Sequence, residues 1–274
     1  MELIFDMFSH TFIVRAVIVG LLVSLCAALL GVSLVLKRYS MIGTGLSHVG
    51  FAAMSIAGVV GISELTLALP VVVAAAFLLL RISESSKIKG DSAVALISTS
   101  SLSIGIIIVS LTTGLTLHTC NVMFGSIFAM TQATVQLSVA LSIAVITLFV
   151  LFYKQLFAVT YDETFARATG TNIGVYKTLL ALLTAVTVVL GMQMMGALLI
   201  ASLTIFPALS AMRICKQFLS VVICAAIIGV VCFFVGMVLS FVFDMPPGAS
   251  VVAVNLAVFS LLSIVAFFKQ GGRA

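Results

Sequence analysis

The sequence contains little charge, little proline and no tryptophan. Only 8% of its 274 residues are Asp, Glu, Lys or Arg, and four are proline. A water-soluble domain carries about 25% charged residues, so this chain has too few of them to cover a surface that faces water. Hydrophobic residues make up 63% of the chain. These proportions exclude a soluble globular fold and predict an all-α protein that crosses a lipid bilayer.

Motifs that mark nucleotide sites, metal sites and hydrolases are also missing. The sequence has no GxxxxGK[ST] loop for nucleotide phosphates, no HExxH zinc motif and no GxSxG nucleophile motif. Its five cysteines show no CxxC pairing. These absences argue against an enzyme. A process driven by ATP would need a separate subunit to hydrolyse the nucleotide.

Nine stretches are long and apolar enough to cross a membrane, which takes about 20 residues in a helix. The seventh is short and contains Pro207, so a half-helix there would leave eight full crossings. The predicted fold is therefore a single domain, residues 1–274, built as a bundle of eight or nine transmembrane helices. The predicted spans are residues 12–36, 43–61, 66–82, 92–113, 132–153, 175–195, 196–213, 218–241 and 249–268.

The positions of lysine and arginine indicate the orientation, because short cytoplasmic loops hold an excess of both. With the N-terminus outside and nine crossings, every basic residue except Arg15 falls on the cytoplasmic side. We therefore expect a cytoplasmic C-terminus, and the net charge of +5 needs no nucleic-acid partner. The residues placed inside are Lys37, Arg38, Arg81, Lys87, Lys89, Lys154, Arg167, Lys177, Arg213, Lys216, Lys269 and Arg273.

A polar group of residues lies at the start of the second predicted span. Thr44, Ser47 and His48 are at positions i, i+3 and i+4, so they share one face of a helix. An ionisable residue inside a span is costly and usually faces the bundle interior or a water-filled cavity. A neutral imidazole is also a common ligand of transition metals. His48 therefore either contacts a metal ion or other substrate, or forms a hydrogen bond with a neighbouring helix.

Residues 161–170, the most polar stretch of the chain, fall on the predicted cytoplasmic side. Asp162 to Thr169 favour a short helix, and Gly170 is a natural stop because glycine adopts left-handed backbone angles at little cost. A short surface helix between two spans is typical of a docking element for a cytoplasmic partner. A solvated connector would have the same composition, so both interpretations stay open.

Three other polar positions carry weaker signals. His10 precedes the first span, and His118 lies close to Cys120 in a predicted outer loop, a pairing too sparse to define a metal site. Asp244 comes just before a Pro-Pro-Gly sequence that breaks helices, and aspartate is a good cap for the turn that would follow. We expect a structural role for Asp244, with contact to an extracellular partner as the alternative.

Several short motifs follow one another along nearly the whole chain in a fixed order. They are Leu34–Gly43, Gly45–His48, Lys89 with Asp91 and Ala93, Phe124–Ile127, Asp162 with Ala166 and Gly170, Gly196–Ile200 with Pro207–Ala208, and Asp244–Ala249. Together they resemble the permease subunits of ABC importers for zinc, manganese and iron, the ABC-3 family.

The resemblance implies a fold similar to the type II ABC importer permeases, in a bacterial plasma membrane. It implies a homodimer of this chain with two cytoplasmic ABC ATPases, and an extracellular metal-binding lipoprotein or periplasmic protein that delivers the ion. The resemblance also assigns a coupling helix to the ATPase. Its residues would be Asp162, Glu163, Ala166, Arg167 and Gly170.

By the same resemblance, Thr44, Ser47 and His48 would line the path of the metal ion, with no permanently bound cofactor. Zinc or manganese is the expected cargo, with iron behind them. The chain departs from the family at one point, because the family commonly has aspartate where this chain has Thr44. A hydroxyl is a poorer ligand than a carboxylate for a divalent ion. The departure puts the strength of the metal site, or the identity of the cargo, in question.

Two other functions fit parts of the sequence. A type II permease for a metal chelate would have the same general fold, although such chains are usually longer. A secondary carrier that works alone would need no ATPase, but such carriers often have acidic groups within the membrane for the coupling ion. Here no acidic residue falls clearly inside a predicted span.

Overall fold

The structure is a computed structural model that describes residues 11–85, 90–112 and 132–271. Within these ranges the chain is helical almost throughout, as its apolar composition requires of a protein that must satisfy its backbone hydrogen bonds in lipid. The helices are α1 (Thr11–Leu36), α2 (Ile42–Val60), α3 (Glu64–Ser85), α4 (Gly90–Leu111), α5 (Gln132–Leu151), α6 (Tyr153–Tyr161), α7 (Glu163–Ala168), α8 (Ile173–Met195), α9 (Ala197–Ile214), α10 (Phe218–Phe243) and α11 (Pro247–Gly271).

In the part of the chain that the structure describes, nine of these helices are long and apolar enough to cross a membrane. The seventh of them, α9, is continuous from Ala197 to Ile214 with Pro207 inside it. The half-helix that would have left eight crossings is therefore wrong. Only Gly196 separates α8 from α9, with a φ of 85° that favours glycine. This one-residue break explains why the sequence alone left the count open.

The centre of the bundle is formed by α1 and α2, whose residues are mostly buried inside the chain. α1 packs against α9 and α10, whereas α2 packs against α3 and α4. α4 and α11 lie at the periphery and are mostly exposed. The helix that carries the predicted metal-path residues is thus one of the two most enclosed helices.

Small residues let the central helices approach closely. A Cβ atom added at Gly31 of α1 would overlap the backbone carbonyl of Thr204 in α9. A Cβ at Gly105 of α4 would lie 2.7 Å from the ring of Phe51 in α2. Close backbone approach through glycine is the usual way to pack helices in lipid, where no hydrophobic effect drives them together.

A nine-residue helix, α6, follows the fifth span in a stretch for which no structure was predicted. One local expectation needs correction. Asp244 does not cap a following turn with its side chain, since its backbone ends α10 in a left-handed conformation with φ of 50°. The next helix instead begins at Pro247, whose fixed φ suits a first helical position. The structural role expected for Asp244 thus has a different local geometry.

Candidate functional site

Two polar residues of α2, one helical turn apart, are accessible within a long stretch of buried residues. Every residue from Ile42 to Ser55 is buried except Thr44 and His48, which are half-buried. Their i, i+4 spacing places them above one another on one face of the helix. This face is therefore the part of residues 42–55 that an ion or another protein chain could contact.

The ring of His48 is held by a residue of α4. Its Nδ1 atom lies 2.6 Å from the hydroxyl oxygen of Ser98. When Nδ1–H donates to this oxygen, the lone pair of Nε2 is free to bind a metal ion, as in metal sites where a second hydrogen bond fixes the imidazole. Sequence reasoning missed Ser98. The signal that could have found it is the four consecutive hydroxyl residues from Ser98 to Ser101 inside an apolar span.

Ser47 is placed differently from the other two predicted residues. Its side chain is fully buried, and its hydroxyl donates a hydrogen bond to the carbonyl oxygen of Gly43 at 2.8 Å. The structure therefore brings Thr44 and His48 to one open face, while Ser47 points into the packed interior of the chain. Its oxygen keeps acceptor capacity but is out of reach of an ion unless the helices separate.

The donor set of one chain is sparse. Among residues 11–85, 90–112 and 132–271, no group of three or more His, Cys, Asp or Glu side chains could hold a metal ion. The other positions considered from sequence, His10, His118 and Cys120, lie outside the described residues. One imidazole and one hydroxyl per chain make a weak site for a divalent ion, so additional ligands would have to come from elsewhere.

Lys89 and residues 124–127, which carry part of the family resemblance, lie outside the described residues, as do Lys87 and Arg273, which were predicted to be cytoplasmic. The backbone of Asp91 belongs to the first turn of α4.

The predicted coupling segment is a short helix with well-defined ends. Asp162 precedes α7, and one of its carboxylate oxygens accepts hydrogen bonds from the backbone N–H groups of Thr164 at 2.9 Å and Phe165 at 3.0 Å. After the helix, Gly170 adopts a left-handed conformation with φ of 79°. The sequence prediction of a helix from Asp162 that stops at Gly170 is confirmed to within one residue at each end.

Helix α7 has one buried residue, the small side chain of Ala166. Ala166 is fully buried and packs with Val159 of α6 and Ile173 of α8 in a small apolar cluster. The remaining residues of α7 are exposed, among them Phe165 and Arg167. Phe165 leaves 62% of its surface uncovered, a large exposure for a phenylalanine on a helix of six residues. This exposed ring gives α7 the character of a docking element.

Glu163 ties α7 to two membrane helices. Its Oε1 lies 3.0 Å from Nζ of Lys37, directly after α1, and its Oε2 lies 2.8 Å from Nζ of Lys177 in α8. Burial raises the pKa of the Glu163 carboxyl, but the hydrogen bonds and charges of Lys177 and Lys37 outweigh it, so the pKa lies below its usual value. Sequence reasoning named Glu163 and missed both partners, because they are remote in sequence.

A bundle of membrane-spanning helices with an accessible imidazole on one central helix and a short exposed helix between two spans is typical of a membrane transport subunit. The model of the ABC 3 transport family matches residues 9–267 of this sequence. The chain belongs to this family and is a transmembrane subunit of an ABC transporter complex. The expectation of a permease subunit rather than an enzyme is thereby confirmed.

Similar proteins agree with this assignment over nearly the full chain. The manganese transport system membrane protein MntC of Halalkalibacterium halodurans is 28% identical, covering 97% of this chain and 91% of that protein. The high-affinity zinc uptake system membrane protein ZnuB of Haemophilus influenzae is 28% identical, covering 93% and 96%. In a solved structure of PsaBC from Streptococcus pneumoniae in complex with Fab, the matching chain has a TM-score of 0.84 and 25% identity, covering 95% and 94%.

Proposed function

We propose that this chain, the membrane subunit of an ABC importer of divalent metal ions, passes manganese or zinc along a path lined by Thr44 and His48. The observation that carries the proposal is the imidazole of His48, accessible on a buried helix and held at Nδ1 by Ser98. An imidazole fixed in this way is ready to bind a borderline metal ion through its other nitrogen. Ser47 would contribute only when α2 and its neighbours separate.

The presence of Thr44, which has no carboxylate, suits a translocation path for an ion better than a site that binds the ion tightly. An ion in transit must bind strongly enough to leave water and weakly enough to move on. Thr44 supplies a neutral oxygen, so the site of one chain binds an ion through one strong ligand. Thr44 therefore favours weak binding and fast release of the ion. Manganese and zinc are the first candidates for this ion, and iron is the third.

A second copy of this chain would complete the path. Among the described residues one chain offers a single imidazole at this face, too few for a divalent ion, whereas two copies would supply two. The exposed surface of α4, the helix that carries Ser98, includes the hydroxyl residues Thr99, Ser103 and Ser110. Polar residues within a membrane helix usually face protein or a water-filled cavity, so this surface suits the partner copy better than lipid.

ATP would be used by a cytoplasmic ABC ATPase dimer that docks on α7. Phe165 and Arg167 are exposed on this helix and would make the contact. An extracellular metal-binding lipoprotein or periplasmic protein would deliver the ion on the opposite side of a bacterial plasma membrane. With the nine candidate spans of the described residues all crossing, the excess of Lys and Arg supports a cytoplasmic C-terminus on the same side as α7.

The position of the acidic residues argues against a secondary carrier. The four acidic side chains that the structure describes, Glu64, Asp162, Glu163 and Asp244, all lie at or just beyond a helix end. An ion-coupled carrier would need such a group within the membrane. ATP is therefore the energy source that the chain fits best.

The experiment is transport by the reconstituted complex. The chain, its ATPase and its binding protein are placed in proteoliposomes, and uptake of free manganese, zinc and iron is measured with and without ATP. ATP-dependent uptake of at least one free ion supports the proposal. Uptake without the ATPase would favour a secondary carrier, and uptake of a metal chelate in place of free ions would favour a chelate permease.

A further inference from the structure

Both oxygens of one carboxylate are engaged where α7 meets the membrane helices. Glu163 is the first residue of α7, and its two oxygens face Lys37 and Lys177 at 3.0 and 2.8 Å. The side chains of the two lysines are largely buried, at 6% and 16% exposure, whereas the carboxylate is 45% exposed. The lysines are therefore fixed parts of the bundle, and the carboxylate reaches them from the docking helix.

Apart from Glu163, α7 makes few contacts with the membrane helices. The helix has six residues, too few to be stable through its own hydrogen bonds. Its buried contact is Ala166, a side chain of one carbon that packs beside Val159 and Ile173. The Glu163 pairs thus provide the polar connection between α7 and two different membrane helices.

The connection continues from Lys37 to the helix that carries His48. Lys37 is followed by a four-residue link to α2, in which Arg38 has φ of 61°. The backbone N–H of Tyr39 donates to Leu34 at 2.9 Å, and the N–H of Ile42 donates to Tyr39 at 3.0 Å. The link is therefore bonded to both α1 and α2, so a displacement of Lys37 is passed to the start of α2.

A small crevice lies beside the two lysines. It measures about 20 Å³, room for about one water molecule, and lies between α1, α2, α3 and α8, lined by Lys37, Tyr39 and Lys177 together with apolar side chains. The helix ends around it are therefore closely packed, and packed elements shift together more readily than they deform.

We propose that Glu163 is a positioning residue that transmits movement of α7 to α1 and α8, and through the Lys37–Met41 link to the His48 face of α2. This inference rests on the proposed function, since it assumes that an ATPase moves α7. It assigns Glu163 to transmission, and it leaves the binding of the ATPase to the exposed residues of α7.

The test compares native, Glu163→Gln and Asp244→Asn chains in the reconstituted complex. Asp244 is a matched control, because it is another single carboxylate at a helix end and asparagine tolerates its left-handed backbone. Three quantities are measured for each: the amount of bound ATPase, the rate of ATP hydrolysis and the metal taken up per ATP. For Glu163→Gln we expect normal ATPase binding and uptake per ATP reduced about fivefold or more, the scale of a typical coupling between sites.

The two lysines give a second, independent readout. Lys37→Gln and Lys177→Gln should each lower uptake per ATP, and each should lower it by less in a chain that already carries Glu163→Gln, because the ion pair is already broken there. Fully additive effects would contradict the proposal. A charge-reversed chain, Glu163→Lys with Lys37→Glu and Lys177→Glu, should regain part of the lost uptake if it assembles.

Two results would overturn the inference. Unchanged uptake per ATP in Glu163→Gln would show that the ion pairs transmit nothing. Loss of ATPase binding by Glu163→Gln would make Glu163 a docking contact instead. Failure of the proposed function is distinguishable from both, because the native complex would then take up no divalent metal at all.

Discussion

His48 and Ser98 join α2 to α4 through a contact of 2.6 Å between Nδ1 and the serine hydroxyl oxygen. The contact crosses a tightly packed helix pair, since a Cβ added at Gly45 of α2 would lie 2.8 Å from the side chain of Val94 in α4. The imidazole therefore has little freedom to turn. His48 is half-buried, as is Thr44 one helical turn away on the same face.

Replacing Ser98 by alanine removes the hydroxyl that orients His48. Loss of an outer-shell hydrogen bond to a metal-binding histidine weakens metal affinity about 10- to 100-fold. We expect a fall of this size in metal affinity for Ser98→Ala, measured by metal titration of the purified complex. Ser98→Thr keeps the hydroxyl and should retain most of the affinity. Thr147→Ala removes an exposed hydroxyl of α5 that bonds to its own turn, so equal losses in both alanine variants would contradict the role of Ser98.

Thr44→Asp adds a carboxylate one turn from His48. A charged oxygen ligand should tighten binding of a divalent ion by about tenfold, the effect of roughly 1.5 kcal/mol from a charge-assisted contact. Because release is part of transport, the turnover of the importer should fall at saturating metal. Thr44→Asn has the same shape without the charge and should leave the affinity near the native value. An unchanged affinity in Thr44→Asp would place the ion away from this face of α2.

The ion pairs of Glu163 should make a pH-dependent contribution to stability. The pKa of this carboxyl is lowered in the folded chain, so its contribution is complete above the unfolded value of about 4.3 and is lost as pH falls through the folded value. The carboxylate is 45% exposed, so solvent screening limits the contribution to about 0.5–1 kcal/mol. Melting of native and Glu163→Gln chains in detergent should differ at pH 7, and the difference should shrink as pH falls below the unfolded pKa of about 4.3. A difference that grows on acidification would contradict the ion pairs.

Gly31 and Gly58 provide a matched pair for testing the packing of the bundle. A Cβ at Gly31 would overlap the carbonyl of Thr204, whereas a Cβ at Gly58 would meet nothing within 4 Å. Gly31→Ala should therefore lower stability by about 1–3 kcal/mol or more, because α1 and α9 must separate. Gly58→Ala should be neutral or slightly stabilising, since alanine is the better helix former. Equal melting temperatures of both variants would show that α1 and α9 do not approach this closely.

Much of the fold follows directly from the sequence. Each span is a run of apolar residues near the length that a bilayer requires, and its ends are marked by charge or by a break such as Asp244-Met245-Pro246. The spans were therefore predictable to within a few residues. Helix α6 was not predicted, because its nine residues are too few for a membrane crossing and include polar ones.

The site was predictable only in part. The i, i+4 spacing of Thr44 and His48 and the cap at Asp162 are local features, and the sequence displays them directly. The partners of these residues are set by packing: Ser98 lies 50 residues from His48, and Lys37 lies 126 residues from Glu163. Periodicity predicts which face of a helix is polar, but it does not predict which distant helix meets that face. For the same reason, the sequence did not show that Ser47 would be buried.

The most direct test of the account is metal uptake by the reconstituted complex with native chain and with His48→Ala. Both are measured with manganese, zinc and iron in the presence of ATP, after the amount of assembled complex has been matched. We expect the native complex to accumulate at least one of these ions and the His48→Ala complex to lose that uptake while still binding its ATPase. Normal uptake by His48→Ala, or no uptake of any of the three ions by the native complex, would contradict a metal path along Thr44 and His48.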